Sequence, residues 1–233
     1  QYRRRALVLQ ALVDERTREL RAVAQRAELA SRTDPLSGLG NRRSIDIALP
    51  DRIAAMQRRR AGGEGVRLAF LVIDIDGFKA INDRLGHRAG DRVIEHIGAL
   101  IGQSLREGDL AARWGGEEFL VVAAVADEAE AWRRAEGLRV AVAQADGATV
   151  PLTVSIGAAC LPFDAGRPES PGWEQVVEIA DAAMYIAKHE GRNRAHAFRA
   201  TGPLPEGFVE RFRHDPEAAA QVLPVELVRI TPA

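Results

Sequence analysis

The sequence predicts an α+β fold in which an antiparallel-rich sheet carries helices on one face. Three observations lead there. Val66 to Asp74 is a nearly continuous apolar run, the mark of a buried strand. Leu110 to Arg113 and Phe119 to Val125 flank Gly115-Gly116, which reads as a hairpin around a tight reversal. The stretches between the strands carry helical periodicity, so the whole resembles a split βαβ sandwich.

The elements follow in order. Residues 1–32 read as one long helix: Ala6, Leu9, Val13, Arg16, Leu20, Val23, Ala27 and Ala30 alternate steps of three and four, the seam of a coiled coil. Arg16 interrupts that seam and the two alanines weaken it. A helix packed on its own domain is the alternative to a dimer seam. Asp34-Pro35 opens a new unit, the aspartate as a cap and the proline as a helix or turn start. Asn41 to Arg60 reads as a helix and Ala61 to Gly65 as a loop. Gly90 to Leu105 is helical, with Val93, Ile94, Ile97, Leu100, Ile101 and Leu105 on its apolar side. Asp127 to Ala145 is an alanine-rich helix, and Val150 to Cys160 alternates as a strand. Pro162 to Gly172 is a proline-rich loop, Trp173 to Glu190 a helix, and Ala195 to Arg199 a short last strand. Residues 201–233 show no clear amphipathic period and read as a partly extended tail.

Composition narrows the class. With 233 residues, 46% hydrophobic and 28% charged, the chain suits one catalytic domain with appendages. A net charge of -1 gives no global case for binding a nucleic-acid polymer. A single cysteine, Cys160, excludes an internal disulfide and a Cys-rich metal site. No apolar run approaches the roughly 20 residues of a membrane helix. The opening Gln-Tyr-Arg-Arg-Arg, without an initiator methionine, suggests a piece of a longer protein, and an arginine cluster there fits the cytoplasmic side of a membrane span.

Two acidic clusters carry the chemistry. Glu117 and Glu118 sit at the hairpin tip, and Asp74 and Asp76 close the Val66 strand. Solvated glutamates on a Gly-Gly turn are the bland alternative for the first. Asp74 and Asp76, two apart, are expected to point to opposite faces and so not to chelate one ion together. Asp74, the Ile75 carbonyl and a hairpin carboxylate form an oxygen-only set suited to magnesium. An EF-hand is excluded because Phe78 and Lys79 occupy the positions its loop reserves for an acid or Asn and a Gly. A Walker A loop is excluded because neither lysine of the chain, Lys79 or Lys188, follows the required glycines. Every other basic side chain is arginine, which suggests that these two lysines mark sites needing a compact ammonium.

Taken together and in order, Asp34-Pro-Leu-Ser-Gly-Leu-Gly-Asn-Arg-Arg43, Asp74-Ile-Asp-Gly-Phe-Lys-Ala-Ile-Asn-Asp83, Gly86-His-Arg-Ala-Gly-Asp91, Arg113-Trp-Gly-Gly-Glu-Glu-Phe119, Ser155-Ile-Gly157, Ala180-Asp-Ala-Ala-Met-Tyr185, Lys188 and Gly191-Arg-Asn-Arg194 resemble the GGDEF family of diguanylate cyclases, in its GGEEF variant. The resemblance covers about residues 32–200. It divides the chain into a signalling helix (1–32), a cyclase domain (33–200) and a tail (201–233). It implies a palm-like, ferredoxin-like α+β domain similar to class III nucleotide cyclases. It also implies a nucleotidyltransferase that condenses two GTP into cyclic di-GMP with release of pyrophosphate, within bacterial signalling. The alternative is a catalytically silent module that binds GTP or cyclic di-GMP.

Residue by residue, the resemblance implies that Asp74, the Ile75 carbonyl and Glu117 bind magnesium or manganese. Glu117 assists deprotonation of the attacking 3′-hydroxyl. Asn82 and Asp91 read guanine, the backbone of Gly77, Phe78 and Lys79 meets phosphate, and Lys188 and Arg192 hold the distal phosphates. Glu118 supports the hairpin, Asp76 binds a second metal or forms a salt bridge, and His87 shapes the turn between Gly86 and Gly90. Guanine offers two parallel N–H donors to a carboxylate such as Asp91; adenine would leave it unpaired, a loss of at least about 1–3 kcal/mol. Arg106 and Asp109 have the spacing of the family's R-x-x-D product-inhibition site, with an exposed turn and local ion pair as the alternative. Each domain holds one GTP, so two must face each other. A homodimer through the N-terminal helix would raise the partner's local concentration into the roughly millimolar range. The expected setting is a cytoplasmic domain at the C-terminal end of a larger, membrane-bound sensor. Gly40, Gly77 and Glu117 depart from the family's frequent residues without removing a functional group.

Overall fold

In the computed structural model of the chain, the residues described are 32–146, 150–164, 166–167 and 171–231. The coiled-coil seam expected over residues 1–32 lies outside them, Arg32 excepted. A seven-stranded mixed sheet has the order β1-β3-β4-β2-β5-β6-β7, from β1 (Gly40–Asn41), β2 (Arg67–Ile75), β3 (Leu110–Arg113), β4 (Glu118–Val125), β5 (Val154–Leu161), β6 (Ala195–Ala200) and β7 (Val225–Ile230). The β1–β3 and β5–β6 neighbours are parallel and the rest antiparallel.

Helices cover both faces of this sheet, not one. Period-2 alternation divides β2: Phe70 and Val72 join one cluster, Leu71, Ile73 and Ile75 the other. The first cluster takes Ile45, Leu49 and Met56 of α1 (Arg42–Ala61) and Val176, Ile179 and Ala183 of α5 (Trp173–His189). The second takes Val93, Ile94, Ile97 and Ile101 of α3 (His87–Ser104) and Leu138 and Val142 of α4 (Glu128–Gln144). Burial on both sides explains why Val66–Asp74 reads as an unbroken apolar run. Caps set the helix starts: the Asn41 side chain accepts from Ser44 N at 3.1 Å, and that of Asp127 from Glu130 N at 2.7 Å.

The sequence reading misses α2 (Phe78–Leu85), which follows Gly77 in the left-handed region at φ 70°. Eight residues give too few turns for a period to show, although Phe78 and Ile81 pack on the second cluster. The expected C-terminal tail is also more structured than its composition indicates. It forms α6 (Val209–His214), α7 (Pro216–Val222) and β7, which pairs with β6 from Ala195↔Ile230 to Ala200↔Val225. Phe208, Val209, Phe212, Ala219 and Leu223 join the first core cluster, and Phe212 meets Phe198 edge-on with ring centroids 4.8 Å apart. Helices of six and seven residues hide their period in the same way.

Candidate active site

The antiparallel register of β2 and β4 sets Asp74 opposite Glu118 and carries the hairpin tip to the end of β2, where Ile75 N donates to Glu117 O at 3.3 Å. Neither Gly115 nor Gly116 has positive φ. What Gly115 supplies is room, because a Cβ there would sit 2.7 Å from Glu118 Oε2. Arg113 braces the turn: its guanidinium donates to Gly116 O at 2.7 and 3.0 Å and reaches Asp34 at 3.4 Å. Arg42 stacks on Trp114, 4.5 Å from the ring centroid.

Behind the hairpin, Lys188 of α5 places Nζ 2.7 Å from Asp74 Oδ2, and the Asp74 side chain is 7% exposed. Burial raises the Asp74 carboxyl to about 6; Lys188 opposes that rise, and the charges of Glu117 and Glu118 add to it. Glu118 is raised by burial and by Asp181, and Asp181 by burial and by Asp74, with Lys188 opposing in both. Asp74, Glu118 and Asp181 thus share the Lys188 ammonium, with the charge of Glu117 acting on Asp74 and Glu118. Asp181 received no role from the sequence; its signal is a spacing of seven from Lys188, two turns along one helix face.

This surplus of negative charge and its oxygen-only donors fit a hard divalent cation. Among the described residues no group of three or more His, Cys, Asp or Glu side chains stands ready-arranged around a metal position.

Asp74 and Asp76 do not point to opposite faces. Residues two apart in a strand share a face, and Ser155, the cross-strand partner of Asp74, donates its hydroxyl to Asp76 Oδ1 at 2.7 Å. Asp76 also accepts from Thr153 Oγ1 at 2.8 Å and Asn193 N at 2.9 Å, so hydrogen bonds occupy it and tie β5 to the turn after α5.

Gly77, Phe78 and Lys79 form the turn into α2, with Gly77 and Lys79 exposed. Asn82 lies on α2 and Asp91 on α3, joined through Gly86 at φ 82° and His87, the first residue of α3. The Asn82 Oδ1 atom is buried without a hydrogen-bond partner, an acceptor left open. Gly90, read from the sequence only as a motif glycine bounding a turn and a helix, makes room for it: a Cβ there would lie 2.0 Å from that oxygen. Arg192 is exposed, at φ 63°, in the turn between α5 and β6.

Arg106 and Asp109 stand apart from this group, in the turn between α3 and β3. Arg106 Nη1 pairs with Glu130 Oε1 at 2.6 Å, and Asp109 Oδ2 accepts from Arg106 N at 2.8 Å and Arg134 Nη2 at 2.5 Å. Arg134, unnoticed in the sequence, has a buried Nη1 without a partner.

Residues 31–194 match the family model described as Diguanylate cyclase, GGDEF domain. Diguanylate cyclase DosC of Escherichia coli K12 is 37% identical over 173 residues, covering 72% of this chain and 35% of the relative. Diguanylate cyclase DgcP of Pseudomonas aeruginosa is 41% identical over 165 residues, covering 70% of this chain and 23% of the relative. The chain therefore spans about a third or less of the length of these relatives. Among solved structures, the coiled coil and GGDEF domain of DgcB from Caulobacter crescentus in complex with c-di-GMP aligns with a TM-score of 0.64 at 32% identity, covering 81% of this chain and 98% of that one. The active GGEEF domain of a diguanylate cyclase from Vibrio cholerae aligns at 0.56 and 31% identity, covering 67% and 96%. The motifs, the sheet order and these likenesses agree: the chain belongs to the GGDEF-domain family of diguanylate cyclases.

Proposed function

We propose that the chain condenses two GTP into cyclic di-GMP with release of pyrophosphate, that it needs magnesium, and that its product feeds back at Arg106 and Asp109. The observation that carries this reading is the Asp74–Lys188 pair at the end of β2, beside the hairpin whose Glu117 and Glu118 charges act on Asp74; it unites acidic oxygens for a cation with an ammonium for phosphate. Magnesium held by Asp74, the Ile75 carbonyl and Glu117 supplies neutralisation of phosphate charge and a lower pKa for the attacking hydroxyl.

The chain's own groups do the rest. Asn82 presents its open amide oxygen to a guanine N–H, and Asp91 accepts the paired donors of the same base. The backbone at Gly77, Phe78 and Lys79 meets the phosphates at the start of α2. Lys188 and Arg192 hold the distal phosphates, which become the leaving pyrophosphate. Glu117 takes the proton of the 3′-hydroxyl as that oxygen bonds to the α-phosphorus of the facing GTP and the bond to the β-phosphate breaks. Two such transfers close the ring, so two domains must face each other, and residues 1–32 are the proposed means of pairing them. Asp109 and Arg134 already form one cluster with Arg106 beside it, an acceptor and guanidinium forks suited to guanine and phosphate. Among the described residues no helix is long and apolar enough to cross a membrane; we place the domain on the cytoplasmic side of a larger sensor.

Incubation of the purified chain with GTP and magnesium, followed by chromatography, tests the reading. Cyclic di-GMP and pyrophosphate are expected. Nucleotide binding without product, even from a tethered dimer, replaces it with a silent binding module.

A further inference from the structure

We propose that the segment beyond residue 200 is a working part of the nucleotide site, and that Arg229 on β7 is a positioning residue acting through Glu190 on the turn between Lys188 and Arg192. This rests on the reading above, in which those two side chains hold the distal phosphates. The family match ends at residue 194, so the strand that carries Arg229 lies outside it.

Glu190 is the cap residue of α5, its N–H donating to Ile186 O at 2.9 Å. Lys188 stands two residues before it and Arg192 two residues after it. Its carboxylate is gripped from two strands. Arg229 Nη2 donates to Oε1 at 2.5 Å, and Arg229 Nε lies 3.0 and 3.1 Å from the two oxygens, a forked contact. His196 Nε2 lies 2.9 Å from Oε2, and His196 is 2% exposed with its other ring nitrogen on Ala195 O. His196 and Arg229 are direct partners in the β6–β7 register, so one rung of the ladder delivers both groups. The segment takes a second hold on the same helix through Arg213 of α6, whose guanidinium forks onto Glu178 at 2.6 and 2.8 Å.

The turn so held needs holding. Arg192 and Asn193 have φ of 63° and 46°; asparagine tolerates this left-handed region, but an arginine adopts it only where the surroundings impose it. Asn193 is fixed by its N–H to Asp76 and by Arg139 on its Oδ1 at 2.7 Å. On the other flank of Arg192, Glu190 and Arg229 provide the corresponding anchor. Arg194 adds a looser contact, its Nη1 3.7 Å from Glu190 Oε2 while its Nε donates to Arg192 O at 3.0 Å. With Arg229 gone, His196 alone holds the Glu190 carboxylate, and the turn that presents Arg192 loses one of the two contacts that anchor this flank. Because Arg229 is 60% exposed, its removal costs little global stability, and the effect falls on the turn.

The test measures the affinity of the chain for a non-hydrolysable GTP analogue by calorimetry, with KM and kcat for GTP alongside. Arg229→Gln and Glu190→Gln are expected to weaken analogue binding about fivefold and to raise KM in step, with kcat within about twofold. Arg229→Lys, which keeps the charge and loses the fork, is expected to fall between. Arg199→Gln is the control: it breaks the exposed Arg199–Glu226 pair on the same two strands without touching Glu190, and is expected to match the wild type. Unchanged affinity and KM in both Arg229→Gln and Glu190→Gln overturn the proposal. So does an equal loss in Arg199→Gln, which assigns the effect to the edge strand at large. A wild type that binds the analogue yet forms no cyclic product refutes the cyclase reading while the affinity series still decides the role of Arg229. A wild type that binds no guanine nucleotide refutes both.

Discussion

Lys188 Nζ lies 2.7 Å from Asp74 Oδ2, so the ammonium proposed to grip phosphate stands on the carboxylate proposed to grip a cation. A divalent ion and that ammonium repel each other at one carboxylate. Lys188→Met is therefore expected to raise the affinity for manganese alone about tenfold, some 1.4 kcal/mol, while weakening binding of a GTP analogue. Manganese spin resonance without nucleotide reads the first effect and calorimetry the second. Equal manganese affinity in wild type and variant would show that the pair does not guard the site.

Glu117 lies at the hairpin tip, its backbone carbonyl accepting from Ile75 N at the end of β2. Glu117→Gln keeps its shape and removes its charge. Product formation is expected to drop by about 10²-fold or more, the scale of a lost general base, with the unfolding midpoint unchanged. Turnover at the wild-type rate refutes the assignment.

Arg106 is exposed and bound by one surface ion pair to Glu130, so its loss leaves the fold intact. In Arg106→Ala the cyclic product is expected to stall the reaction only at concentrations about tenfold or more above those for the wild type. Superimposable inhibition curves would remove the feedback site.

How far the sequence carried this reading depends on the length scale of each signal. The long elements were legible because a period repeats in them: α3 shows Val93, Ile94, Ile97 and Ile101 over several turns. The hairpin was legible from two glycines between apolar runs, although neither glycine has the positive φ that a tight reversal predicts. α2, α6 and α7 are too short for a period. The role of Gly90 beside Asn82 and of Arg134 beside Asp109 arises only when separate helices or turns meet, which no local pattern records. Asp181 was visible as a motif letter, but its charge acquires meaning only once β2 and β4 bring Asp74 and Glu118 to the same ammonium. β2 ends at Ile75, so the strand period does not fix Asp76; the hydrogen bonds from Ser155 and Thr153 place its carboxylate.

Gly157, within the Ser155-Ile-Gly157 motif, lets α5 lie directly on β5. A Cβ there would sit 1.9 Å from Ala180 O and 2.3 Å from Met184 N, both helix backbone that no rotamer change can move. Gly157→Ala is expected to cost about 3 kcal/mol by forcing the helix off the sheet, read as a lower urea midpoint at unchanged slope. Lys188 rides on the same helix, so analogue affinity at native temperature is expected to fall as well. A midpoint equal to the wild type would mean that α5 has slack at this crossing.

Glu190 gives the fold a defined response to acid. Its carboxyl is held down to about 2 by the hydrogen bonds of Arg229 and by His196, against an ordinary value of 4.5. A depressed carboxyl binds fewer protons folded than unfolded. Its contribution to stability is therefore complete above about 4.5 and is lost as pH falls through about 2. Glu190→Gln lacks that contribution at every pH. The gap in unfolding free energy between wild type and variant is therefore expected to be widest near pH 6 and to close towards pH 2, while the other acids titrate alike in both chains and cancel. Urea unfolding of the pair at a series of pH values measures the gap directly. A gap that stays constant across this range would show that the Arg229 and His196 contacts do not hold the Glu190 charge in solution.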